Sequence, residues 1–206
     1  CYRLLRLVNN IIDMNKIDYG YYDIELGNYN IVSVVEDITM SVLEYIKNKG
    51  IELIFDTDTE EEIIACDPDK IERIILNLLS NAIKYTRPDG KIIVNINSDK
   101  ENVYISVKDT GIGMPKQKLN KIFNRYEQID NKLTKSFNGS GIGLSLVKSL
   151  VEMHKGKITV ESKENEGSKF TITLPKKRIN NEHIKNTNLT KSRVEKCNIE
   201  FSDIYN

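Results

Sequence analysis

Residues 77–86 read NLLSNAIKYT. They sit late in a helix that Asp67-Pro68 opens, with Asp at the cap and Pro in the first turn. The spacing predicts a helix from Pro68 to about Thr86. Ile71, Ile74, Ile75, Leu78, Leu79 and Ala82 make one apolar stripe on it. At about 100° per residue, Asn77, Asn81, Lys84 and Tyr85 fall together on another side. Two carboxamides, an ammonium and a phenol thus share one face beside a core-facing stripe.

Downstream, Pro88-Asp89-Gly90 is a turn. KIIVNIN (91–97) and VYISVKD (103–109) then alternate as a strand hairpin. DTGIGM (109–114) follows directly. A short helix is expected over 115–123, and the polar stretch 124–140 reads as a lid-like loop. NGSGIGLSL (138–146) opens a helix expected from about Gly141 to His154, with two closing strands up to Pro175. This glycine loop fails the dinucleotide pattern, because Leu144 stands where a third glycine belongs. It fails the P-loop pattern too, for want of a following Gly-Lys-Ser/Thr. Upstream, 33–49 is an amphipathic helix closing at Gly50, and IELIF (51–55) and EIIAC (62–66) are short strands. The stretch 18–32 is a connection with room for one more short strand. Residues 2–17 are apolar on more than one face. Such a helix wants a bundle partner, from an upstream segment or another chain; the alternative is packing on its own domain.

The 206 residues suit one domain with appendages. Apolar content of 39% is enough for a packed core. Lys+Arg and Asp+Glu balance at 30 each, which argues against a nucleic-acid partner. Cys1, Cys66 and Cys197 are far apart with no C-x-x-C, so neither a disulfide scaffold nor a zinc site is expected. No apolar run reaches membrane-spanning length. A chain opening at Cys1 in helix-like sequence reads as a fragment of something longer.

Each chemical piece is weak alone. A pair of Asn on a helix is usually a surface accident, and a strand-end Asp is usually a turn former. Yet carboxamide oxygens can ligate Mg²⁺. Asp109 beside Gly111 and Gly113 can accept a hydrogen bond from an exocyclic amine while the backbone stays approachable. Glycines at a helix N-terminus expose N–H groups to anionic oxygen. In order along one chain, these pieces make a complete set for Mg·ATP.

NLLSNAIKYT resembles the N-box of the histidine kinase ATP-binding domain, the GHKL or Bergerat fold. DTGIGM resembles its first glycine box, and IFNRYEQID (122–130) its F-box, with Phe123 and Tyr126 in the aromatic positions. GSGIGL (139–144) resembles the second glycine box and EGSKF (166–170) the last. The resemblance spans about residues 30–175, and LLRLVNNIIDMNKID resembles the second helix of the family's dimerisation and phosphotransfer hairpin. It implies an α+β, two-layer sandwich: a mixed sheet with helices on one face, preceded by a partial helical hairpin. The implied organisation is hairpin helix 1–18, linker 19–29, ATP-binding domain 30–175 and a tail of low order at 176–206.

The resemblance also implies roles. Asn81 would bind Mg²⁺, and Asn77 would support the same metal–phosphate cluster. Lys84 would reach phosphate oxygens and Tyr85 would lie against the nucleotide. Asp109 would read the adenine amine, with Gly111, Ile112 and Gly113 beside the base and sugar. Gly139, Ser140, Gly141, Ile142, Gly143 and Leu144 would line the phosphates, with Leu144 also the first core anchor of its helix. Ser168 of the last box would complete the site. Arg125 would be the lid's cation, although relatives often carry Arg where Gln128 stands. Fold relatives that hydrolyse ATP place Glu where Asn77 stands; Asn cannot act as that base, so transfer to a nucleophile fits better than hydrolysis.

One family feature is missing. No His-Glu-x-x-x-Pro box is present, and the two histidines, His154 at a helix end and His183 in the tail, lack its context. The expected function is γ-phosphoryl transfer to a His on a hairpin outside this chain, for relay to an Asp of a response regulator receiver domain. A homodimer of the full-length protein and a cytoplasmic location, with any membrane anchor elsewhere, go with it. The alternatives are a non-catalytic ATP-binding module, an anti-sigma type serine kinase, which the hairpin-like helix disfavours, and a simple ATPase, which Asn77 disfavours.

Overall fold

The computed structural model describes residues 2–127, 141–180, 183–185 and 193–202. The central sheet has five strands: β2 (Glu52–Thr57), β4 (Lys91–Ser98), β5 (Asn102–Asp109), β6 (Lys157–Lys163) and β7 (Gly167–Pro175). Their order is β2-β4-β5-β7-β6. β2 pairs with β4 in parallel, and every other pairing is antiparallel. Alternation decides which face is covered. Ile92, Val94 and Ile96, then Val103, Ile105 and Val107, then Phe170, Ile172 and Leu174 point inward and are buried. Helices α2 (Ile31–Ser41), α4 (Pro68–Tyr85) and α5 (Gly143–Met153) close that face. The expected two-layer α+β sandwich with a mixed sheet is what forms.

β1 (Gly27–Asn30) and β3 (Ile63–Cys66) make a separate antiparallel pair. The expected single helix over 33–49 is instead two helices. Asn30 caps α2 by accepting from Val32 N at 3.2 Å, so that helix starts at Ile31. It breaks at Val42, and α3 runs Leu43–Asn48. The helix expected over 115–123 is reduced to a 3₁₀ turn, Lys116–Lys118, followed by turns.

α4 is the core of the helical layer. Asp67 caps it, with Oδ1 accepting from Asp69 N at 3.1 Å and Lys70 N at 3.2 Å. His154, at the end of α5, meets the same corner. Its Nε2 accepts from Asp67 N at 3.1 Å while Nδ1–H donates to Leu150 O at 2.8 Å. Burial holds this imidazole below its ordinary pKa, and both nitrogens are engaged in structure rather than chemistry.

α1 (Tyr2–Asp18) lies on this layer by one face only. Asn10 and Met14 are buried, and Leu7 and Ile17 pack beside them. Leu4, Leu5, Val8, Ile11 and Ile12 stay exposed on the other faces. The helix therefore uses its own domain for one stripe and leaves a second uncovered.

Residues beyond 175 correct the expectation of low order where they are described. Lys177 O accepts from Ala65 N, and Asn28 bonds both ways with Ile179 at 2.8 and 2.9 Å. α6 (Arg193–Glu200) then packs on the helical layer, with Cys197 and Phe201 buried. Phe201 stacks on Tyr45 at 5.0 Å between ring centroids. An apolar ring with a waiting aromatic partner outweighs the polar composition of the segment around it.

Candidate functional site

The polar face of α4 ends against two loops. Asn77 is buried, and its Nδ2 donates to Arg73 O at 3.2 Å. That bond fixes the amide plane and turns Oδ1 away from the helix backbone. α5 begins directly opposite: a Cβ on Gly143 would lie 2.6 Å from Asn77 Oδ1. Only a glycine lets the start of this helix close on the carboxamide. The described end of the second glycine loop thus abuts the first asparagine of the N-box. Asn81, one turn on, is half-buried.

The other end of α4 meets DTGIGM. Ile112 N donates to Tyr85 O at 3.2 Å. Gly111 packs against the same carbonyl. Lys84 is buried, with its ammonium 5.2 Å from the centroid of the half-buried Tyr85 ring. Asp109 ends β5 and is 5% exposed. Burial raises its carboxyl to about 6, and N–H donation from Gly111 (2.8 Å to Oδ1) and from Ser168 offsets part of the shift. A carboxylate held nearly dry at a strand end, with only backbone N–H donors to it, favours a ligand that brings a further donor.

The loop is clamped from the sheet side. Gly113 has φ +61, and a Cβ there would collide with the Lys163 carbonyl. Met114 N donates to Ser162 Oγ at 2.9 Å, and Ser162 Oγ lies 3.0 Å from Ser168 Oγ. Ser168 is placed opposite Asp109 in the β5–β7 register. The last glycine box therefore supports the first from behind.

The second glycine loop is only partly on view. Gly139 and Ser140, and also Gln128, lie outside the described residues. Gly141 O accepts from Tyr126 N at 2.9 Å. Leu144 is half-buried, and the fully buried anchors of α5 are Leu146, Val147, Leu150 and Val151, with Ile142 2% exposed. The anchor expected at Leu144 is thus shared by its neighbours. Phe123 packs edge-on to Phe170 at 6.5 Å, whereas Tyr126 is exposed.

Arg125 is not brought to Asn77. Its guanidinium forms a bidentate pair with Asp18 at the end of α1, Nη1–Oδ2 being 2.6 Å. That pair holds the Asp18 carboxyl below the usual range.

Sequence reasoning missed the neighbours of Asn77. Arg73 lies one helical turn before Asn77, on the same face. It pairs with Asp13 and donates to Asn10 Oδ1 at 2.9 Å, both on α1. Arg6, also on α1, points Nη2 at Asn77 Oδ1 from 3.5 Å. The helical projection that united Asn77 and Asn81 would have found Arg73; nothing local marks Arg6.

Asn77, Asn81 and the buried Asp109 offer hard oxygen atoms, from α4 and from the end of β5. Among the described residues no group of three His, Cys, Asp or Glu could hold a metal. The oxygen donors present suit Mg²⁺ that keeps most of its ligands from phosphate and water.

Comparisons with known proteins show the family. Residues 66–178 match the family described as histidine kinase-, DNA gyrase B-, and HSP90-like ATPase. Histidine kinase P4 of Formosa agariphila is 37% identical over 175 residues, covering 84% of this chain and 13% of that protein. Sensor histidine kinase WalK of Bacillus subtilis is 34% identical over 179 residues, covering 85% and 29%. The chain thus spans less than a third of the length of these relatives. Among solved structures, the catalytic domain of histidine kinase ThkA superposes with a TM-score of 0.66 at 28% identity, over 74% of this chain and 99% of that one. ThkA in complex with the response regulator protein TrrA gives 0.68 at 26% identity, over 84% and 48%. The chain belongs to the histidine kinase-, DNA gyrase B- and HSP90-like ATPase family, and the relatives it resembles include histidine kinases.

Proposed function

We propose that this chain is the ATP-binding kinase part of a sensor histidine kinase. It binds Mg·ATP between α4 and the two glycine loops and passes the γ-phosphoryl group to a His on a hairpin outside this chain. The observation that carries the reading is the closure of both loops on one helix: Gly143 against Asn77 at one end, Gly111 and Ile112 against Tyr85 at the other. An adenine seated on the Asp109 loop would then run its phosphates toward the start of α5. The amide geometry there, a helix N-terminus opening on glycine, favours anionic oxygen.

In the reaction an imidazole nitrogen attacks the γ-phosphorus in line, its bond to the β-phosphate oxygen breaks, and ADP leaves. Bound Mg²⁺ supplies charge neutralisation on the phosphates. Asn81 would hold that ion, and Asn77 would fix the cluster beside it. Lys84 would reach phosphate oxygens from α4, Asp109 would accept the adenine amine, and Ile112, Ile142, Leu144 and Ser168 would shape the walls. Asn77 offers no base to activate water, so the site favours positioning for transfer. Arg125 would have to leave Asp18 to serve as the lid's cation. A response regulator receiver domain would consume the phosphoryl group, in a cytoplasmic homodimer of the full-length protein. ThkA's complex with a response regulator supports that partner class.

Calorimetric titration with a non-hydrolysable ATP analogue tests the site. The parent chain binds it, and more tightly with Mg²⁺ than with EDTA. Asn81→Ala removes the Mg²⁺-dependent part, on the order of tenfold or more in Kd, as for a lost metal ligand. Equal Mg²⁺ dependence in both chains contradicts the assignment. Binding without transfer to any histidine hairpin would favour the non-catalytic module instead.

A further inference from the structure

α6 lies past residue 178, where the family match ends, yet it is built into the helical layer. Tyr45 OH donates to Asn198 Oδ1 at 2.6 Å, and Ser80 Oγ of α4 donates to Glu200 O at 3.0 Å. Lys196 reaches Asp69 at 2.9 Å and the buried Glu72 at 2.5 Å, both on α4. One side of α6 thus belongs to the domain. The other side faces α1, where Glu200 Oε2 pairs with Arg6 Nε at 2.9 Å. Both side chains of that pair are about nine-tenths buried. The same Arg6 guanidinium extends Nη2 to Asn77 Oδ1.

We propose that α6 is a strap: through Glu200 it holds α1, and with it Arg6, over Asn77, in a docked state that opposes metal-bound nucleotide. The inference rests on the reading of Asn77 as part of the metal–phosphate cluster. A guanidinium held on Asn77 Oδ1 takes up the carboxamide that would support the cluster, and its charge repels a divalent cation held one helical turn away at Asn81. Nucleotide with its metal therefore favours release of α1, and release of α1 favours nucleotide. The contact is suited to release. α1 meets α4 and α6 around a cavity of about 410 Å³ whose lining mixes charged groups, Arg6, Arg73, Glu72 and Lys196, with the apolar Leu76 and Ile199. Water can enter there and solvate the ions as they part, which a dry apolar seam would not allow. At its far end α1 also holds Arg125 through Asp18, so undocking frees the cation expected of the lid.

Glu200→Gln breaks the ion pair while keeping the Ser80 bond, which goes to the backbone. Arg6→Gln breaks it from the other side and removes the competing cation. Hydrogen–deuterium exchange of α1 and of β5 is measured in both variants and the parent, together with Kd for ADP with Mg²⁺ and with EDTA. In both variants α1 exchanges at least tenfold faster, β5 is unchanged, and the Mg²⁺-dependent gain in affinity grows about threefold or more. Parent-like protection of α1 overturns the proposal, as does a freed α1 with unchanged or weaker Mg²⁺-dependent binding. Loss of β5 protection in both variants would make the pair part of the core and overturn it too. A parent that binds no nucleotide sinks the functional reading instead, and the exchange of α1 still decides whether α6 is a strap.

Discussion

At the scale of single residues, Asp109 shows how the domain gives up stability for a site. Its carboxyl is raised to about 6 by burial, so the folded chain binds a proton that the unfolded chain releases near pH 4. Stability from this group is therefore full below pH 4, falls as pH rises toward about 6, and is flat above. Asp109→Asn removes the charge but keeps an acceptor. At pH 8 it is expected to be more stable than the parent by up to about 3 kcal/mol, at ~1.4 kcal/mol per pKa unit. The gain shrinks through pH 6 and vanishes near pH 4, as read by urea midpoints. A gain independent of pH would place its origin elsewhere. Asp109→Ala, lacking the acceptor, is expected to lose the preference for ATP over GTP. Asp109 was legible in the sequence because a strand end, an acid and two glycines meet there. Arg6 was not, because its meaning comes from a contact 71 residues away.

At the scale of elements, local chemistry marked most boundaries. Asp67-Pro68 set the start of α4, and alternation set β4, β5 and β7. The helix over 33–49 failed at Val42, because the apolar period runs on across a break that tertiary packing imposes. The 3₁₀ turn at Lys116–Lys118 failed likewise: six charged or amide side chains between 116 and 124 offer little to bury. α6 was hidden because, among its described residues, a single i, i+4 apolar pair, Cys197 and Phe201, is buried, too short a stripe to stand out in a polar tail. The first glycine loop can be tested at this scale. Gly113→Ala forces φ +61 on a side chain and drives a Cβ into the Lys163 carbonyl. A destabilisation of about 2 kcal/mol or more is expected, as for strained backbone with overpacking. Unchanged urea midpoints would mean that the loop is not clamped to the β6–β7 turn.

At the scale of the molecule, one sheet supports a helical layer whose middle helix turns the candidate site residues to one face and the core to the others. The family match over 66–178 starts at the Asp67 corner and includes every loop of the candidate site. α1 and α6 stand outside it and meet each other beside Asn77. The architecture puts the candidate site within reach of a helix that still has an uncovered apolar stripe, as expected of one partner in a hairpin. The central claim is that this site delivers phosphate to histidine. Full-length chain, Mg²⁺ and γ-³²P-ATP are incubated with histidine-bearing hairpins from several related sensor kinases, and label on the hairpin is followed. The account predicts acid-labile, base-stable label on at least one hairpin, lost with Asn81→Ala and with its acceptor His→Gln. ATP bound normally, with every hairpin unlabelled, would contradict it.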